Sequence, residues 1–252
     1  MIIGYHCKRI TRPLPNFTTH KLLEACREQG CPVCRLEQQG VERYLSQKFY
    51  ENVNSPAWRD SLRASFGFCH GHAWLAVDQR LGDALGFSII YRDILNSVLN
   101  QLNDSSGSAR TSRRRASLLR QVPEHARNRF EKLLYALTPR KRCPVCEHRD
   151  EMTRNTLSVL VKELERPEMT AALQASDGLC LSHLRLTLEH VKDLSACEKL
   201  LSIHGEKLES LRAELAEFVR KSDYQAIKEG FGREGDAWLR AVRMIAGSRK
   251  ER

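Results

Sequence analysis

Cys-Pro-Val-Cys occurs twice in this 252-residue chain, at Cys31-Cys34 and Cys143-Cys146, and each copy is followed later by glycine, an apolar residue and Cys-x-x-His. The later elements are Gly67-Phe68-Cys69-His70-Gly71-His72 and Gly178-Leu179-Cys180-Leu181-Ser182-His183. The knuckles lie 112 residues apart (143 − 31), the Cys/His pairs 111 (180 − 69). One pattern is written twice. Three thiolates and one imidazole are the set that closes a tetrahedral site around zinc. A two-residue gap lets both members of a pair turn toward one ion, and the proline fixes the tight turn.

The pairing extends beyond the cysteines. Leu45 matches Leu157 at an offset of 112, and Pro56 with Pro167, Leu62 with Leu173 and Ser65 with Ser176 match at 111. Leu36, Val41, Tyr44, Leu45, Lys48 and Phe49 fall largely at three- and four-residue steps, as do Leu157, Leu160, Val161 and Leu164, which is the period of an amphipathic helix. Alternating β-branched runs are scarce, so the expected class is all-α. Each copy reads as helix, knuckle, long helix, turn, Cys-x-x-His opening another helix, then a further helix, with Ala84 to Leu102 and Leu194 to Val219 as the last of each set. The expected organisation is a first helical metal-binding repeat over residues 1–102, a basic Ser/Gly/Arg-rich linker over 103–120, a second repeat over 121–220, and a C-terminal loop and helix over 221–252. In the last of these, Asp236 is expected to cap a helix that Trp238 docks on the core.

On this scheme each repeat closes its own site, Cys31, Cys34, Cys69 and His72 in the first and Cys143, Cys146, Cys180 and His183 in the second. Four protein ligands per site point to structural zinc, two ions per chain; a catalytic zinc keeps a position open. Two Cys3His iron–sulfur clusters are the alternative, which spacing does not separate from zinc. Disulfides within each knuckle would leave the Cys/His pairs unexplained. His70 sits beside His72, but the second copy has Leu181 at its position, so His72 is the expected ligand. Glu37, Glu42 and Glu51 read as a solvated helix face, and Cys7, Cys26 and Cys197 as small core thiols. No phosphate loop, nucleophile elbow or His-Glu-x-x-His motif is present, and no catalytic residue is assigned.

Clustered cysteines in a chain of this length favour metal over a secreted disulfide framework, and the first residues make a poor secretory signal, which together place the protein in the cytoplasm. No apolar run reaches the length of a membrane span. Forty-one Lys and Arg against 31 Asp and Glu leave a formal charge of +10. Basic residues gather at Arg110 to Arg120 and at Arg140-Lys141-Arg142 beside Cys143, so the expected partner is a protein or a polyanion such as nucleic acid.

The two knuckles, Tyr50-Glu51-Asn52-Val53-Asn54, both Gly-x-Cys-x-x-His elements and the ending from Asp223-Tyr224 to Trp238-Leu239-Arg240-Ala241 together resemble the bacterial family catalogued as domain of unknown function 6062. The likeness runs over nearly the whole chain. It implies the Cys/His constellation, intact at all eight positions, and brings no activity with it. The expected role is therefore a metal-binding helical module of binding or regulatory type, with a redox or sensor protein carrying iron–sulfur clusters as the alternative.

Overall fold

Proline opens most of the helices whose placement matters here. It has no amide hydrogen to lose at a first helical position, and its fixed φ suits the first turn. Pro32 and Pro144 each begin a 20-residue helix one residue after a knuckle cysteine, and Pro56 and Pro167 each begin a nine-residue helix. The computed structural model describes residues 17–106 and 124–248, and all regular structure among them is helical. In chain order the α-helices are α1 (Phe17–Ala25), α2 (Pro32–Glu51), α3 (Pro56–Ala64), α4 (His70–Asp78), α5 (Ala84–Ser106), α6 (Glu124–Ala136), α7 (Pro144–Glu163), α8 (Pro167–Ala175), α9 (Leu181–His190), α10 (Leu194–Lys221) and α11 (Ala237–Ala246), with two short 3₁₀ turns before α11. The all-α expectation holds. The difference from it is α3 and α8, which fill what was read as a turn.

Contacts divide the described residues into two compact units, one within Met1–Gln38 and Thr153–Arg252, the other Gln39–Met152. These boundaries fall inside α2 and α7, not at the basic stretch between the copies, of which residues 107–123 lie outside the described residues. The reason is the length of the two knuckle helices. A 20-residue helix is about 30 Å long, so its two ends serve different cores. In the first unit Leu22 and Val33 pack with Leu157, Leu160 and Leu164 from the later part of α7, together with Met169, Leu173, Leu179, Leu200 and Ile203. In the second unit Val41, Leu45 and Phe49 from the later part of α2 pack with Trp58, Leu62, Phe68, Ile90, Ile94 and with Val145 at the start of α7. Most of these side chains are almost fully buried, and each large one contributes about 1.5–3 kcal/mol on leaving water. Within the second unit α2 and α7 run antiparallel, with Tyr44 stacked on His148 at 4.2 Å and Gly40 facing Met152.

The approach to each Cys-x-x-His element is a glycine in the left-handed region, φ +91° at Gly67 and +84° at Gly178. After Gly178 the chain is held by a buried histidine: the Leu179 amide donates to His204 Nε2 at 2.8 Å, and His204 Nδ1 donates to the Leu200 carbonyl at 2.8 Å. Both ring nitrogens are thus used in the neutral form, and burial holds the His204 pKa below its ordinary value. A side chain at position 178 would have to adopt left-handed φ and would meet Lys207 Cδ at 2.9 Å. Gly178→Ala is expected to cost about 1–2 kcal/mol, read as a lower urea midpoint with unchanged slope.

The C-terminal segment departs from expectation. Trp238 is exposed, and α11 is seated by the buried Ala237 and by Arg240, whose guanidinium bonds Glu214 of α10 and Asp236. Asp236 spends its carboxylate on Arg240 and makes no capping hydrogen bond. Trp238 faces water because the small Ala237 is the residue that meets the core.

Candidate metal centres

Every candidate ligand stands at or next to a helix N-terminus. Cys31 and Cys143 precede α2 and α7 by one residue, Cys34 and Cys146 lie in the first turns, Cys69 and Cys180 are the N-caps of α4 and α9, and His72 and His183 follow in those first turns. Amide hydrogens and the positive end of the helix dipole there favour thiolates.

The structure brings the eight side chains together as two groups of four that could hold a metal ion, and the groups are crossed. Cys31 and Cys34 meet Cys180 and His183 in the first unit; Cys69 and His72 meet Cys143 and Cys146 in the second. The expectation that each copy closes its own site is corrected by this arrangement, and helix length is the physical reason. After its knuckle the chain travels about 30 Å along α2, and the nine-residue α3 runs only about 13 Å, so the path need not bring Cys69 back to Cys31, and the two fall in different units. The same holds for α7 and α8.

In site 1, Cys34 Sγ lies 3.7 Å from Cys180 Sγ, and His183 Nδ1 lies 3.5, 3.4 and 3.2 Å from the sulfurs of Cys31, Cys34 and Cys180. In site 2, Cys69 Sγ lies 3.6 Å from Cys146 Sγ, and His72 Nδ1 lies 3.2, 3.7 and 3.4 Å from Cys69, Cys143 and Cys146. Within each site all four donor atoms lie inside 4.8 Å of one another. A tetrahedron with metal–sulfur bonds of about 2.3 Å and metal–nitrogen bonds of about 2.0–2.1 Å has edges of about 3.5–3.8 Å. Most of these distances sit close to those edges.

The surroundings of the two sites differ. Site 1 is buried, and the second nitrogen of its histidine is held: His183 Nε2 lies 3.2 Å from Glu37 Oε1, which also accepts from the Thr153 hydroxyl. Glu37, read from the sequence as a solvated carboxylate, therefore orients a candidate ligand. The knuckle loop is tied to its partner loop by the Gly30 amide, which donates to Asp177 at 2.6 Å. Ser248, just after α11, lies across the sulfurs: the Cys31 amide donates to Ser248 Oγ at 2.9 Å, and the Ser248 amide donates to Cys34 Sγ at 3.4 Å. Site 2 is more open. Cys69 is exposed, Cys143 is buried, and Cys146 and His72 are half-buried. The position matching Glu37 at the knuckle offset is Arg149, which with Arg142 grips Asp150. His70 is exposed, edge-on to Trp74.

These environments split the two histidines. Burial lowers the affinity of His183 for a proton, but the Cys180 and Cys34 sulfurs and the Glu37 carboxylate outweigh it and push its pKa up to about 11. His72 is held below its ordinary value by burial and by the Arg149 charge. Among the thiols of site 1, burial pushes Cys31 well up, while hydrogen bonds from Cys31 and Cys34 bring Cys180 down. In site 2, burial and the Cys69 sulfur push Cys146 up to about 12; Cys69 itself, despite burial, is brought down by the His72 amide and by the Cys146 and Cys143 thiols.

Of the three cysteines outside the pattern, Cys26 is buried, Cys197 is partly buried and Cys7 lies outside the described residues. Among the described residues no helix is long and apolar enough to cross a membrane.

No solved structure matches the chain. It is 25% identical over 231 residues to an uncharacterized 23.9 kDa protein in the xynA 3' region of Caldicellulosiruptor sp. (strain Rt8B.4), covering 90% of this chain and all of that one. The model of a family of unknown function, DUF6062, matches residues 17–252, and the chain belongs to that family.

Proposed function

We propose that this protein is a helical binding or regulatory module built around two structural zinc ions. Cys31, Cys34, Cys180 and His183 would hold one, and Cys69, His72, Cys143 and Cys146 the other. The observation that carries this reading is the convergence of four donors per site at near-tetrahedral separations. It supports a single ion over an iron–sulfur cluster, in which sulfide-bridged irons would spread the ligands over several metal atoms. Four protein donors around one ion also leave no open coordination position, which supports a structural over a catalytic role. Such an ion joins two helix N-termini in place of a larger core. Reduced thiols at both sites suit the cytoplasm. The partner is read as a protein or a polyanion, on the strength of the net charge and of the exposed Arg140, Lys141 and Arg142 next to site 2.

Elemental analysis of the purified chain is expected to give two zinc ions and no visible absorbance. Iron with sulfide would overturn the assignment in favour of clusters. Glu37→Gln keeps the shape of the carboxylate that holds His183 but removes its charge. It is expected to weaken one of the two ions by about 10- to 100-fold in competition with a chromophoric chelator, leaving the other unchanged.

A further inference from the structure

The two sites share one ligand set but differ in access, and we propose that site 2 is a peroxide-reactive site. There Cys69 and Cys146 join as a disulfide and release the ion, while site 1 keeps its own. The inference rests on the reading of the eight side chains as metal ligands. Three independent features of the structure separate the sites.

The first is access. Cys69 is exposed, whereas Cys31, Cys34 and Cys180 are all at most 9% exposed. The second is the cover over site 1. Gly247, at φ +91°, passes so close to the sulfurs that a Cβ on it would lie 3.4 Å from Cys34 Sγ and 3.8 Å from Cys180 Sγ. Ser248 then uses its amide and its hydroxyl on Cys34 and Cys31. Among the described residues no segment covers Cys69 in this way. The third is charge. Glu37 anchors the histidine of site 1; the matching position in site 2 is Arg149, which with Arg142 shares the one carboxylate of Asp150, two positive charges against one negative. Partly exposed thiolates in electropositive surroundings are the ones that oxidants reach.

The chemistry closes on residues already in place. The Cys69 thiolate attacks one oxygen of hydrogen peroxide; the O–O bond breaks, hydroxide leaves, and Cys69 becomes a sulfenic acid. The Cys146 thiolate, whose sulfur starts 3.6 Å away, then attacks the Cys69 sulfur and displaces a second hydroxide. Two thiolates have lost two electrons to one peroxide. With two of its four ligands joined to each other, the site can no longer close a tetrahedron, and the ion leaves.

The test is a peroxide titration of the full-length, metal-loaded protein in the presence of a metal-binding dye, followed by peptide mapping. The expected result is release of one ion per chain at peroxide doses about tenfold or more below those that release the second. A Cys69–Cys146 bridge should appear at the first step, with Cys31, Cys34 and Cys180 still reduced. Ser248→Pro removes both the amide and the hydroxyl that cover site 1, and is expected to bring the second release toward the first. Simultaneous release of both ions, earlier release from site 1, or oxidation of Cys69 with its ion retained would overturn the inference while leaving the ligand assignment standing. A chain that carries no ion before peroxide is added overturns the ligand assignment itself, and this inference with it.

Discussion

Replacing Cys31 and Cys180 together with alanine is expected to remove one ion per chain, whereas replacing Cys31 and Cys69 together removes both. The two double variants delete the same number of thiols, so only the identity of the partners distinguishes them. If each copy closed its own site the outcomes would be reversed, with Cys31 and Cys69 sharing one ion and Cys31 and Cys180 belonging to two. The free energies should follow the ions. Structural zinc contributes on the order of 10 kcal/mol to folding in small units, so the first lost ligand costs most of what its site supplies. A second loss in the same site then adds little, and a loss in the other site adds in full. Neighbours in one network are strongly non-additive and separate sites are not. Metal content per chain and urea midpoints of the three single and two double variants complete the cycles. Loss of both ions from the Cys31/Cys180 variant would overturn the crossed assignment.

The identities of the candidate ligands were legible because chemistry constrains them locally. Cys31 with Cys34 and Cys180 with His183 are each set by a two-residue gap, and the second copy chose His72 over His70 by its Leu181. The helices were legible for the same reason, since Leu157, Leu160 and Leu164 mark one face at helical spacing. Which knuckle meets which Cys-x-x-His was not legible from spacing, because separations of 34 and 35 residues allow either answer when the path between them is unknown. The signal that decides it was present as the unbroken helical period from Pro32 to Glu51, long enough to carry the chain away from its own knuckle. Pro56 and Pro167 marked a second helix shorter than the first.

Glu37 and Ser248 were hidden for a different reason. Glu37 stands three residues after Cys34, on the same face of the first turns of α2, but a carboxylate on a helix is ordinarily solvated. Only the arrival of His183, 146 residues later in the chain, gives it a partner. Ser248 acts through its backbone amide as much as through its hydroxyl, and a backbone donor has no signature in sequence. Trp238 misled in the opposite sense: a large aromatic on an amphipathic helix reads as an anchor, yet the anchoring is done by Ala237 and by the bonds of Arg240.

Crossed sites also determine what a single cut does to the molecule. With a protease site placed between the copies, in the stretch read as linker, cleavage should leave two fragments that still elute as one species carrying two ions. Each candidate site draws two ligands from before the cut and two from after it, and so does each core: Leu22 and Val33 pack with Leu157 and Leu160, and Val145 with Leu45. Neither fragment alone contains a knuckle together with the Cys-x-x-His that it meets. Adding a strong chelator removes the bonds that span the cut while leaving the apolar contacts. The dissociation constant of the fragments should then rise by more than about a thousandfold, since each ion is worth on the order of 10 kcal/mol and every 1.4 kcal/mol is a factor of ten. Size-exclusion chromatography of the cut protein, with and without chelator, reads the result. Fragments that separate before chelation, each keeping one ion, would mean that each copy closes its own site, and that α2 and α7 do not exchange their ends between the two cores.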